Sequence, residues 1–348
     1  MNKKGFLDDS FIAQLSKQKW DEERANEWYE AQPWFVGCNY IPSTAINQLE
    51  MLQEKTFNPS RIDEELGWAE ELGFNALRIF LHNLLWEENS TSFKERIEKL
   101  LTICKSHHMK VLFVLFDEMW NQNPKLGDQP EPIPGIHNSG WVASPGKKRM
   151  RKIEDFPIFQ DYVQGVVSAF KKDTRILGWD IYNEPGNMGI NQRSLPLVVA
   201  GISWAREVDP SQPITVGAYY FPHIPEINEI CINHSDIISF HDYSKPKITL
   251  KVIENLKKYN RPLLCTEYLS RPEGNRFETQ LPIFKKHGIG AFNWGLVAGK
   301  TQTIFPWDSK RDGPEPEIWF HDILHEDGNP YSKDEVEFIK SMLKNVQN

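Results

Sequence analysis

Eight short apolar runs, spread along 348 residues and separated by stretches of helical periodicity, constrain this chain more than any other feature. They are Trp34 to Asn39, Ala76 to Leu81, Val111 to Phe116, Leu177 to Tyr182, Ile214 to Ala218, Ile237 to His241, Leu263 to Glu267 and Ala291 to Trp294. Each is too short and too apolar for a surface helix, and strands apolar on both faces imply a parallel sheet covered by helices. Between the runs, Ile62, Leu66, Ala69 and Leu72 share one helical face, opened by Ser60 with Asp63 in the spacing of a capping box and closed by Gly73. Phe93, Ile97, Leu100, Leu101 and Cys104 repeat that stripe, Phe156 to Lys172 repeats it again, and a last helix is expected from Ser332, with Glu335 completing a second box. Alternation with eight strands predicts a (β/α)8 TIM barrel, and no GxGxxG turn follows the first run to favour an open doubly wound sheet.

A chain that is 40% hydrophobic can bury a large core, and one catalytic domain over residues 1–348 is expected. It would carry an N-terminal extension at about 1–33 and long loops at about 117–155 and 297–331. Such loops, at the C-terminal ends of barrel strands, tend to carry function. A net charge of −8 and no basic run interleaved with aromatics argue against nucleic acid and anionic membranes as partners. No apolar run is long enough to insert into a bilayer, and none near Met1 has the length of an export signal. A cytoplasmic protein is expected from the chain as written, or a secreted or periplasmic one if such a signal is removed; the oligomeric state stays open. Cys38, Cys104, Cys231 and Cys265 lack metal-ligand or disulfide spacing and read as buried thiols. No metal or cofactor is expected.

Two of the runs end in a glutamate: Glu184 follows Trp179-Asp180-Ile181-Tyr182-Asn183, and Glu267 follows Leu263-Leu264-Cys265-Thr266. An unpaired carboxylate there would be costly to bury. Two carboxylates at the mouth of one barrel suit cleavage of a glycosidic bond, one as proton donor and the other as nucleophile. Asn183 could donate to a sugar hydroxyl. Arg78, a cation inside the second apolar run, needs an anion, which could be Glu267 or a purely structural acid. Neither a GxSxG elbow nor a P-loop is present, and His107 and His108 precede the third run, on the end of a barrel that serves stability.

Asn183-Glu184 on the fourth strand with Glu267 on the seventh resembles clan A retaining glycoside hydrolases, most of all glycoside hydrolase family 5, along nearly the whole chain. That resemblance implies Glu184 as acid/base, Glu267 as nucleophile, Asn183 as a substrate ligand, Arg78 as a support for the nucleophile, and His241 and Tyr243 at the sixth strand. Trp294 would floor the bound sugar, although a plain core role is the alternative for it and for His241. Where relatives carry a histidine near the end of the third strand, this chain has Asp117 and Glu118, so Asp117 or Glu118 could replace that contact. Asn39 and Tyr40, His82, Trp141 and Trp307 complete the expected wall of a site for a β-linked oligo- or polysaccharide of mannoside, glucan or xylan type. The expected reaction is double-displacement hydrolysis; a transglycosidase, or a non-catalytic carbohydrate-binding barrel, is the alternative.

Overall fold

The computed structural model describes residues 15, 18–219 and 225–344. Eight parallel strands form the sheet: β1 (Val36–Asn39), β2 (Ala76–Phe80), β3 (Lys110–Asp117), β4 (Ile176–Asn183), β5 (Ile214–Gly217), β6 (Ile238–His241), β7 (Leu263–Tyr268) and β8 (Gly290–Trp294). Their order is β5-β4-β3-β2-β1-β8-β7-β6, and a bridge between Ala218 and Phe240 brings the two outer strands together. The result is a nearly closed (β/α)8 barrel, as the alternating runs predict.

Helices cover the outside, and their ends follow local chemistry. Helix Pro59–Leu72 starts two residues earlier than Ser60 would set it: Asn58 caps it by accepting from the Arg61 N–H, with Pro59 in the first turn. It stops at Gly73, whose φ of 92° few other residues adopt. Ser332 caps helix Lys333–Leu343, accepting from the Glu335 N–H. Glu335 does not complete a box, because its carboxylate pairs with Arg271 at 2.6 Å. Among the described residues no helix is long and apolar enough to cross a membrane.

The barrel interior changes character along its axis. Near the strand starts, Phe35, Ala76, Leu112, Leu177, Ile237, Leu264 and Phe292 form an apolar plug. Trp28 and Tyr29 of helix Glu22–Glu30 pack beneath it, so this part of the N-terminal extension closes the barrel bottom. Each leucine, isoleucine and phenylalanine of the plug contributes roughly 1.5–3 kcal/mol by leaving water. Above the plug come buried Arg78 and Asp180, and above them the mouth.

Two long loops shape that mouth. The one after β3 is tied to the one after β8 by hydrogen bonds from Asn138 N to Thr301 O (2.8 Å), Asp312 N to Pro134 O (2.8 Å) and Gln302 Nε2 to Ile133 O (2.7 Å). Because β2 and β1 lie between β3 and β8 in the sheet, the joined loops wall off the β1–β2 side.

Candidate active site

A cavity of about 850 Å³ opens at the C-terminal ends of the strands, and Glu184 and Glu267 both face it. Strand register brings them together. The Glu184 N–H bonds to Gly217 O on β5, the His241 N–H to Ala218 O, and His241 pairs with Glu267 between β6 and β7. Gly217 leaves room for the ion pair, since a Cβ would lie 2.9 Å from Arg78 Nη2 and 3.1 Å from Asp180 Oδ2 and would push both side-chain ends aside. Glu184 itself has a φ of 47°, a left-handed conformation that non-glycine residues adopt at a cost and that turns its side chain off the strand into the mouth.

His241 sits between the two carboxylates. Its Nδ1 is 2.6 Å from Glu184 Oε1 and 3.4 Å from Glu267 Oε2, and all three groups offer an atom within 4.8 Å of the others. The ring is neutral, since burial lowers its pKa to about 4. With acceptors at Nδ1, the proton belongs there, leaving a bare Nε2 that has no partner among the described residues and faces Gly217 beside Arg78. A metal could find three donors in this group, but Arg78 is 3.0 Å from Glu267 and its fixed charge opposes a second cation.

Arg78 organises the layer below. It is fully buried and reaches Asp180 (2.8 Å), Glu267 (3.0 Å), Asn183 Oδ1 (2.7 Å) and Asn39 Oδ1 (2.9 Å). Both anions anticipated for it are therefore present, the structural one being Asp180. Burial raises Glu184 and Glu267 alike, each to about 7. Their hydrogen-bond partners differ. Glu267 receives the Arg78 cation and the Tyr243 hydroxyl (2.9 Å), which favour its charged form, while the Glu184 charge opposes it; among the described residues Glu184 is bonded by the neutral donors Asn187 Nδ2 (2.6 Å) and His241, and the Arg78 charge favours its charged form too. The two carboxyls titrate together, in steps that belong to the pair.

Of the other residues anticipated from sequence, Asn183, Tyr243, Trp141, Trp294 and Trp307 line the cavity, whereas Asn39, Arg78, His82 and Asp117 do not. Asn39 Nδ2 is spent on the Thr266 and Asn293 carbonyls, so it braces β1 against β7 and β8. His82 caps helix Asn83–Ser106, accepting from the Leu84 N–H, and its Nε2 meets Ala143 O. Asp117 stands behind the wall, taking bonds from Trp141 Nε1 (2.6 Å), Asn183 Nδ2 (2.8 Å) and the Met119 N–H. Glu118 is buried against the Gly186 N–H, so neither acid of the third strand offers a sugar contact. Trp294 packs edge-on against Trp141 and Phe80 and keeps one part open to the cavity, while Trp307 stands exposed at the rim against Tyr243.

Sequence reading missed Asp180, Asn187, Trp120, His137, Asn138 and Tyr219. Asp180 carried a usable signal, an acid in a run that must be buried. Asn187, three residues past Glu184 in a glycine-bearing turn, carried a weaker one. The rest reach the cavity through loop conformation, which periodicity does not report.

Residues 42–299 match the family described as Cellulase (glycosyl hydrolase family 5). No curated protein sequence matches significantly. Among solved structures the chain resembles the exo-beta-1,4-mannosidase of Opitutaceae bacterium strain TAV5, with a TM-score of 0.60 and 16% identity over 90% of this chain and 60% of that one. It also resembles the endo-1,4-beta-D-mannanase of Thermotoga petrophila RKU-1, with a TM-score of 0.55 and 15% identity over 89% of this chain and 99% of that one. A third likeness is the glycoside hydrolase family 5 mannosidase of Rhizomucor miehei, with a TM-score of 0.56 and 13% identity over 91% and 95% of the two chains. At these identities the likeness is one of fold. The chain spans about 60% of the length of the Opitutaceae enzyme.

Proposed function

The chain belongs to glycosyl hydrolase family 5, a family of glycoside hydrolases, and on that premise we propose that it hydrolyses β-glycosides with retention of configuration. The observation that carries the proposal is the separation of the two acids, with an oxygen of each within 4.8 Å. Direct attack by one carboxylate, with protonation by the other, takes place across roughly 5–5.5 Å, whereas an inverting enzyme needs roughly 6.5–9.5 Å to admit water. In the reactive state Glu267 is ionised and attacks the anomeric carbon, and Glu184 is protonated and gives its proton to the departing oxygen. The covalent glycosyl intermediate is then resolved by water that Glu184 deprotonates. Tyr243 and Arg78 hold Glu267 in line, and Trp294 supports the sugar ring.

The joined loops on the β1–β2 side favour a closed glycone end, so we propose action on terminal sugars or short oligosaccharides. A β-mannoside is the first substrate to try, because the exo-beta-1,4-mannosidase, the mannanase and the mannosidase of like fold are named for that sugar. The test is a panel of aryl β-glycosides and manno-, gluco- and xylo-oligosaccharides. The expected result is release of a monosaccharide from one series, with the β-anomer formed first. Azide should restore turnover of an activated substrate by Glu184→Ala as a β-glycosyl azide, and by Glu267→Ala as an α-glycosyl azide. Initial formation of the α-anomer would rule out retention, and cleavage only within long polymers would rule out the closed glycone end.

A further inference from the structure

The long loop after β3 carries Asn138 into the wall of the cavity, 2% exposed, with its backbone N–H bonded to Thr301 O of the loop after β8. Which way its carboxamide faces is decided by the next residue back. His137 Nδ1 lies 2.7 Å from the carbonyl of Phe305, which can only accept, so the proton is on Nδ1 and Nε2 keeps a lone pair. Burial lowers this histidine to about 4, which keeps that neutral state. Asn138 Nδ2 is 3.3 Å from His137 Nε2 and donates to it. The opposite face of the amide, Oδ1, is thereby turned away from His137, and it is buried with no partner among the described residues.

A buried amide oxygen without a donor costs about 1–3 kcal/mol, and a relay that spans two loops holds it in that condition. The same cavity wall carries the aromatic rings of Trp120, Trp141 and Trp294 and the imidazole of His321. Among the described residues no donor reaches Oδ1, and a hydroxyl of a ligand in the cavity is a group that could supply one.

We propose that Asn138 is a specificity-determining residue whose Oδ1 accepts a hydrogen bond from a hydroxyl of the terminal sugar at C3, C4 or C6, away from the reacting carbons. This rests on the hydrolase reading above. In it the loop-to-loop relay Phe305–His137–Asn138 is the device that sets the acceptor, and the strap between the loops both closes the glycone end and reads the sugar placed there. A sugar with that hydroxyl removed or inverted leaves Oδ1 unsatisfied and is rejected.

The test is a cycle between residue and substrate: wild type, Asn138→Ala and Asn138→Asp, each with the cleaved aryl β-glycoside and with its 3-, 4- and 6-deoxy analogues. Asn138→Ala should lower kcat/KM on the parent glycoside by about 10- to 100-fold. On one deoxy analogue, and only one, the same substitution should cost nothing further. Asn138→Asp keeps an acceptor oxygen and should recover part of the loss on the parent and none on that analogue. An equal loss on the parent and all analogues, or no loss at all, would overturn the proposal. Should Asn138→Ala not fold, Asn138→Asp decides alone, by whether the penalty of the deoxy substitution shrinks at one position. If the wild type cleaves no aryl glycoside, the hydrolase reading fails and takes this inference with it; if it cleaves them and the cycle is flat, only the role of Asn138 falls.

Discussion

The two ends of this barrel are built on opposite terms. At the strand starts every inward side chain of the plug is apolar and packs against another, with Trp28 and Tyr29 sealing it from below. At the strand ends, acids are buried at raised pKa, a glutamate holds a left-handed backbone, and His241 Nε2, Asn138 Oδ1 and Asp242 Oδ2 are buried without partners among the described residues. The bottom contributes stability and the mouth consumes it. Buried acids and polar groups that face a cavity are what a substrate can complete, so the contrast marks the mouth as the functional end.

The largest test of that contrast is removal of the charges. Glu184→Gln and Glu267→Gln should each lower kcat on the cleaved glycoside by roughly 10²- to 10⁴-fold or more, while the melting temperature holds or rises, because an amide is cheaper to bury than a carboxylate. A fall in melting temperature alongside the loss would mean that the mouth is structural after all. At the other end, Leu264→Ala should cost about 2–5 kcal/mol and Phe292→Ala about 3–5 kcal/mol in denaturant unfolding, with kcat and KM near wild type well below the transition. Selective loss of activity in these variants would break the division.

The pH dependence sharpens it. In the proposed mechanism the active form has Glu267 ionised and Glu184 protonated, so activity should be bell-shaped with its maximum near about 7, where burial has moved both groups. The same shifts act on stability. A carboxyl raised from about 4.5 to about 7 binds more protons folded than unfolded throughout that interval. Its contribution is therefore present below about pH 4.5 and is lost as pH rises through 7, at most about 3 kcal/mol per group. His241, lowered to about 4, acts with the opposite sign, losing stability as pH falls below its ordinary range. Comparing wild type with Glu184→Gln isolates the glutamate: the variant should gain on wild type as pH rises from 5 to 8, and a constant difference would contradict the burial of Glu184 as a charge.

Much of this was legible before any coordinates. The eight runs fall within two residues of the strands at each end, since apolar runs of that length have few other uses. Glu184 and Glu267 were visible for the complementary reason, as acids where acids are expensive. What escaped depended on contacts distant in sequence. Asn58, two residues before Ser60, takes the cap because its side chain reaches the Arg61 N–H, with Pro59 already in the first turn. Glu335 is claimed by Arg271 from 64 residues away, and His82 faces its own helix. Parity along β4 and β5 fails where the register shifts between Asp180 and Asn183, which lets both residues meet Arg78. Nothing in the third loop's prolines and tryptophans announces its strap to the eighth.

The smallest effect asks whether the asymmetry between the two acids comes from their neighbours. Tyr243 donates its hydroxyl to Glu267 Oε2 at 2.9 Å, and its own pKa is raised by burial and by Glu267, so it remains a phenol throughout the working range. Tyr243→Phe removes one donor to the charged form and leaves the ring against Trp307 in place. Glu267 then needs a higher pH to ionise, while Glu184, which does not touch Tyr243 in a hydrogen bond, keeps its donors Asn187 and His241. The acidic limb of the kcat/KM profile should move toward neutrality, the alkaline limb should stay, and the maximum should fall by about 10-fold, the cost of one hydrogen bond to a charged group. A shift of both limbs together would assign the asymmetry to burial of the pair as a whole; a shift of the alkaline limb alone would exchange the roles of the two glutamates.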